Sequence, residues 1–98
     1  MTDIRRPDLA KEDLRDLFGD LNERSPQGAR RYLRGLVAKI GELAYTPNMG
    51  ARRLRTRPEI RSVPYRNHVV HYAVDTEGVI VLRVLHGASN WRRALEEN

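Results

Sequence analysis

The breaker Thr46-Pro47-Asn48-Met49-Gly50 divides this chain into two halves with different hydrophobic periods. Proline lacks the amide donor that a helix interior uses, and glycine loosens the backbone, so regular structure is interrupted here. Before the breaker, apolar residues recur at helical spacing. Ala10, Leu14, Leu17, Phe18 and Leu21 fall on one face of a helix predicted over 9–23, with Asp8 as its N-cap after Pro7. Ala29, Tyr32, Leu33, Leu36, Val37, Ile40, Leu43 and Ala44 predict a second helix over 26–45. Ser25 can cap it, and Pro26 suits the first helical position, where no amide donor is required. Few residues join the two helices, so they form an antiparallel hairpin. Gly35 and Gly41 each cost the second helix about 1 kcal/mol against alanine. They either admit another backbone closely or are simply tolerated.

After the breaker the period becomes two. Residues 60–66, 68–75 and 79–86 read as strands, and Asp75-Thr76-Glu77-Gly78 as a hairpin turn. Val70, Tyr72 and Val74 share one face of their strand, and Val69, His71 and Ala73 the other. The strand 79–86 is apolar on both faces until Arg83, which predicts a central, doubly covered place. The arginine-rich start of 51–66 reads as a loop. Residues 2–6 suit a short edge strand and 88–98 a short last helix. The expected architecture is α+β: an N-terminal antiparallel helical hairpin on a small twisted antiparallel sheet, in a single domain over 1–98.

Composition narrows the classes of function. A domain of 98 residues buries little surface, so a partner covering apolar area would stabilise it. The chain has no cysteine, which removes disulfides and thiolate metal sites. Its start is charged, without the apolar core of a signal peptide. Its longest aliphatic run, 79–82, is far short of the roughly 20 residues of a membrane helix. The expectation is a soluble cytoplasmic protein. Net charge is +5, and 16 of the 18 basic residues are arginine. Six arginines lie in 51–66 against one acid, Glu59. That concentration suits an acidic partner or nucleic acid, or is only a solvated surface.

Few residues suggest chemistry. There is no glycine-rich phosphate loop and no serine elbow, and Ser25, Ser62 and Ser89 have no evident partner. His68 and His71 are separated by an odd number, so they face opposite sides of a strand and predict no shared metal. No cofactor is expected. His86 follows Ile80, Leu82 and Val84 on one face at a strand mouth, and is either satisfied by backbone or functional. Arg83 falls on the other face, with Val79, Val81 and Leu85. It either pairs with a carboxylate such as Glu42 or Asp75 or faces an external acid. Trp91 either packs the last helix or touches a target.

The order of these features resembles the ParE branch of the RelE/ParE toxin superfamily. The resemblance rests on Pro47 and Gly50 after the second helix, Arg61-Ser62, Tyr65-Arg66, Tyr72, and Leu82 to Ala88 in the closing strand. Ser89 and Asn90 stand where the family has Arg-Asp, and the first strand is shorter than usual. The resemblance implies the toxin of a type II toxin–antitoxin module. Its partner would be a small ribbon-helix-helix, ParD-like antitoxin, through which alone operator DNA is reached. Its target would be DNA gyrase, and the outcome growth arrest and plasmid stabilisation. RelE-like relatives instead cut mRNA on the ribosome. Such cleavage requires a general base, a general acid and cations for the phosphate. No lysine follows Lys39 and no tyrosine follows Tyr72, which favours the gyrase reading. Arg61, Arg83, His86 and Trp91 are the candidate target contacts or vestigial active-site residues. Arg52, Arg53, Arg55, Arg57 and Arg66 form the candidate basic patch. Leu14, Phe18, Tyr32, Leu36 and Tyr72 are the candidate antitoxin contacts. A third reading is a plain nucleic-acid-binding or interaction module. Against it, Tyr65 is the one aromatic available for stacking in 51–66.

Overall fold

Ser25 ends one helix and begins the next. In the computed structural model, which describes residues 3–5, 7–54 and 59–96, α1 spans Asp8–Arg24 and α2 spans Pro26–Glu42. The Ser25 amide donates to the Leu21 carbonyl, closing α1, and its hydroxyl accepts from the Gly28 amide at 3.1 Å. The N-cap of α1 is Pro7, not the expected Asp8, which lies inside the first turn. There its carboxylate meets the positive end of the helix dipole. The second helix stops at Glu42, short of the expected residue 45. Amides of Leu43, Ala44 and Tyr45 reach carbonyls three residues back, so the chain tightens into turns ahead of Pro47.

Among the described residues the sheet has five strands, in the order β1-β5-β4-β3-β2. They are β1 Asp3–Arg5, β2 Ala51–Leu54, β3 Glu59–Tyr65, β4 His68–Asp75 and β5 Gly78–His86. A short helix, α3, covers Trp91–Glu96. The fold is α+β, and β3 to β5 pair antiparallel, as expected; β2 pairs antiparallel with β3. The edge strand β1 pairs parallel with β5, which makes the sheet mixed.

Two expectations are corrected. β5 is an inner strand, flanked by β1 and β4 as expected, and β4 is the middle one because β2 adds a strand on the far side. That strand lies within the stretch read as a loop. Its exposed, charged residues suit a sheet edge, where they discourage pairing with other chains. Finally, β5 does not alternate evenly. A register shift opposite His71/Tyr72 pairs Tyr72 with Val81 and His71 with Arg83, leaving Leu82 as the extra residue. The alternation resets there. Val79, Val81 and Val84 share the buried helix face, and Arg83 lies opposite, across from His71. Arg55 and Arg57 lie outside the described residues.

The core lies between the hairpin and this face of the sheet. Leu17, Leu36, Ile40, Leu43, Val63, Val70, Tyr72, Val79, Val81 and Val84 fill it. Each such aliphatic side chain contributes roughly 1.5–3 kcal/mol when fully buried. Two glycines let the layers meet. A Cβ on Gly35 would lie 2.9 Å from a ring carbon of Tyr65 and collide with its hydroxyl. A Cβ on Gly50 would lie 2.7 Å from both the Ser62 carbonyl and the Tyr72 hydroxyl. Gly41 has open space around it and is merely tolerated.

Candidate functional site

The β3–β4 turn decides what faces what on the far side of the sheet. Arg66 takes a left-handed conformation, φ 51°, and with Asn67 makes a two-residue connection. The strands then pair Tyr65 with His68, Val63 with Val70, and Ser62 with His71. Ser62 and His71 are each 2% exposed. The Ser62 hydroxyl and His71 Nδ1 are 2.6 Å apart. The Trp91 ring stacks on the imidazole, with centroids 5.8 Å apart and planes 22° from parallel. Arg92 lies over the outer side of Trp91, 4.9 Å from its centroid. Leu95 is buried one turn further along α3.

Burial, then the nearby Arg53 and Arg83 charges, hold the His71 pKa down to about 4. The imidazole is therefore neutral near pH 7. A hydroxyl bonded to a neutral imidazole has the donor–acceptor form of an activated nucleophile. Here both groups are sealed under α3, so the pair satisfies two buried polar groups and reaches no substrate. Sequence reading gave Ser62 no partner. The two-residue turn was the available signal, because it fixes Ser62 opposite His71.

The four candidate target residues do not converge. Arg61 donates to the Asn48 carbonyl at 3.1 Å and the Gly50 carbonyl at 2.8 Å, and pairs with Glu59 at 3.0 Å. It ties down the breaker loop. Glu59 also holds Arg52 of the basic patch, at 3.0 Å. Arg83 is gripped by Asp13 of α1 at 2.8 and 3.0 Å, where Glu42 or Asp75 had been the expected carboxylate. His86 ends β5 on the helix side, opposite His68, with ring centroids 5.6 Å apart. Its Nδ1 accepts from the Ala88 amide at 3.2 Å. Only Arg83 and Trp91 come together, around His71. Among the described residues no three histidine or carboxylate groups gather as a metal would require.

The five candidate partner contacts also separate. Leu36 and Tyr72 are 0% exposed, so no partner reaches their side chains. The Tyr72 hydroxyl donates to the Pro47 carbonyl at 2.7 Å and accepts from the Gly50 amide at 3.0 Å. Leu14 packs against the core, half-buried. Tyr32 sits edge-on to Tyr65 and bonds His68 Nδ1 at 2.6 Å. Burial raises the Tyr32 pKa and lowers that of His68, whose second cause is the His86 charge. Phe18 is half-buried, outside the core cluster. With Leu33 and Val37 it lines an apolar groove of about 310 Å³ between the helices, rimmed by Arg30 and Arg34.

A family model described as ParE toxin of type II toxin-antitoxin system, parDE, matches residues 4–91. The chain belongs to the ParE toxin family. It is thus a type II toxin. A solved structure titled "Chromosomal ParDE TA system from P. aeruginosa" shares its fold, with a TM-score of 0.75. The two are 18% identical, over 88% of this chain and 96% of that one. No curated protein matches it in sequence. Within this ParE-family fold, the Leu82–Ala88 signature is the end of β5 and the turn after it. Its Arg83 and His86 point to opposite sides of the sheet. Ser89, at the departure from the family pattern, donates its amide to the His86 carbonyl at 2.9 Å. Asn90 accepts from the Arg93 amide at 3.2 Å, so it starts α3 as a cap would.

Proposed function

We propose that this ParE-family toxin arrests growth by acting on DNA gyrase in the cytoplasm, without cutting RNA. The supporting observation is the dispersal of Arg61, Arg83 and His86. The two arginines are engaged by loop carbonyls and by Asp13, and His86 lies on the other side of the sheet from Arg83. RNA cleavage would require such groups to converge on one phosphate. The neutral His71 is closed off beneath Trp91. In the test, purified toxin is mixed with supercoiled plasmid, gyrase and ATP. Cleaved DNA complexes that depend on all of these are the expected result. Inert gyrase together with cut mRNA on translating ribosomes would replace this reading with the RelE-like one.

The neutralising partner is a small antitoxin of the ribbon-helix-helix, ParD-like kind. The groove of Phe18, Leu33 and Val37 supports this, because an amphipathic segment can bury apolar residues there and set carboxylates on Arg30 and Arg34. Operator DNA is then reached through the antitoxin. Charge reversal at Arg30 and Arg34 should weaken the toxin–antitoxin complex at least tenfold. Unchanged affinity in a titration would remove the groove from the interface.

A further inference from the structure

Arg31, from the start of α2, and Arg66, from the β3–β4 turn, both line a cleft of about 230 Å³. Tyr32, Tyr65 and Gly28 complete its lining. Arg66 leans on the Tyr65 ring, 5.8 Å from its centroid, and Tyr32 meets Tyr65 edge-on at 5.3 Å. Both arginines are exposed, and neither pairs with a carboxylate among the described residues. Along α2, Arg30, Arg31 and Arg34 carry the same sign, and the helix's one acid, Glu42, lies at its far end paired with Lys39 at 3.5 Å.

We infer that this cleft holds a phosphate of a nucleic-acid backbone, which gives the toxin a nucleic-acid contact of its own. Two guanidinium forks from separate elements match the several oxygens of one phosphate, and their planar geometry favours it over a point charge. The volume fits a phosphate with part of its sugar and is small for a whole nucleotide. The Gly28 amide is already used by Ser25, so the anion is held by side chains, not by the end of α2. The arginines along α2 extend the positive strip beyond the cleft, as a repeating polyanion requires. An acidic peptide fits less well. The lining contains no aliphatic side chain for it to bury, whereas the groove at Phe18 does.

The test measures binding of a fluorescent DNA duplex of about 20 base pairs to the purified toxin across a salt series. The double variant Arg31→Gln/Arg66→Gln is compared with Lys11→Gln/Arg15→Gln, which removes the same charge from the exposed side of α1. The cleft variant should bind at least about tenfold more weakly and flatten the salt slope by about 1–2, while the control changes far less. Equal losses in both variants would reduce the effect to net charge and overturn the assignment. Inorganic phosphate and a glutamate-rich peptide serve as competitors. If phosphate displaces labelled duplex as well as unlabelled duplex does, the cleft takes free anions and the inference fails. It fails too if the peptide displaces the duplex from the unmodified cleft but not from the double variant. Arg31→Lys/Arg66→Lys keeps the charge and loses the forks. It should fall between the two, and it stands in if the glutamine pair does not fold.

Discussion

Asp13 holds Arg83 and the edge of β5 at the same time. Its carboxylate takes two bonds from the guanidinium, at 2.8 and 3.0 Å, and a third from the Val84 amide at 3.0 Å. Both side chains are mostly buried, at 12% and 16% exposure. The third bond has a topological cause. Among the described residues β1 pairs with β5 as far as Ile80, so no described strand lies along the later part of that β5 edge. Asp13 supplies an acceptor there and anchors α1 to the sheet.

Replacing Asp13 with alanine should therefore be costly. The change deprives Arg83 of this carboxylate and leaves the Val84 amide without its acceptor. Removing one partner of a largely buried pair costs on the order of 3 kcal/mol. For a domain this size, that is a fall in Tm of roughly 10–20 °C. The double variant Asp13→Ala/Arg83→Met should recover part of the loss, since it also removes the buried charge. A Tm within a few degrees of the parent for Asp13→Ala alone would show that the clamp contributes little.

Two glycines of α2 should respond with opposite signs. Gly41→Ala has room for its methyl and gains helix propensity, so it should stabilise by up to about 1 kcal/mol. Gly35→Ala gains the same propensity but drives its methyl into Tyr65. It should destabilise by about 1–3 kcal/mol. Tyr65→Phe removes the closest atom and should partly rescue Gly35→Ala. Denaturant midpoints for the four proteins check the pattern, and a stabilising Gly35→Ala would refute the packing.

The hairpin is legible in the sequence because its signals are local. Apolar spacing, Ser25 and Pro26 mark the helices within a few residues of where they lie. The strands 59–65, 68–75 and 78–86 follow equally from alternation and turns. What escapes local reading depends on distant partners. Asp13 and Arg83 are 70 residues apart, and no pattern near either points to the other. The extra residue at Leu82 carries no glycine or proline to announce it, so even alternation places Val84 on the wrong face. β2 reads as a loop because an edge strand displays charge. Leu36 and Tyr72 fit a partner's surface by composition, yet the core already uses them. The family motif marks Arg61 as a candidate contact, whereas its bonds make it a clasp for the breaker loop.

Arg61→Ala should accordingly act on stability and on the loop. It frees the Asn48 and Gly50 carbonyls and one side of Glu59. A loss of roughly 1–3 kcal/mol is expected, with faster proteolysis or amide exchange around residues 46–50. Unaltered exchange there would mean that the loop is held by Tyr72 alone.

His71 should make the fold sensitive to mild acid. Its folded pKa is about 4, against about 6.5 in an unfolded chain. As pH falls below about 6.5, the unfolded chain takes up a proton that the folded chain refuses until about 4. The unfolded state then binds more protons, so stability is complete above pH 6.5 and declines through this window. The full loss is on the order of 3 kcal/mol for this residue. His68, lowered in the same direction by burial and by His86, adds to it. His71→Gln should flatten the dependence, and Trp91→Ala should raise the His71 pKa by opening it to water. Imidazole proton shifts followed by NMR, together with denaturant midpoints at pH 7 and pH 5, measure both. An ordinary His71 titration near 6.5 in the parent protein would mean that α3 does not seal this face in solution.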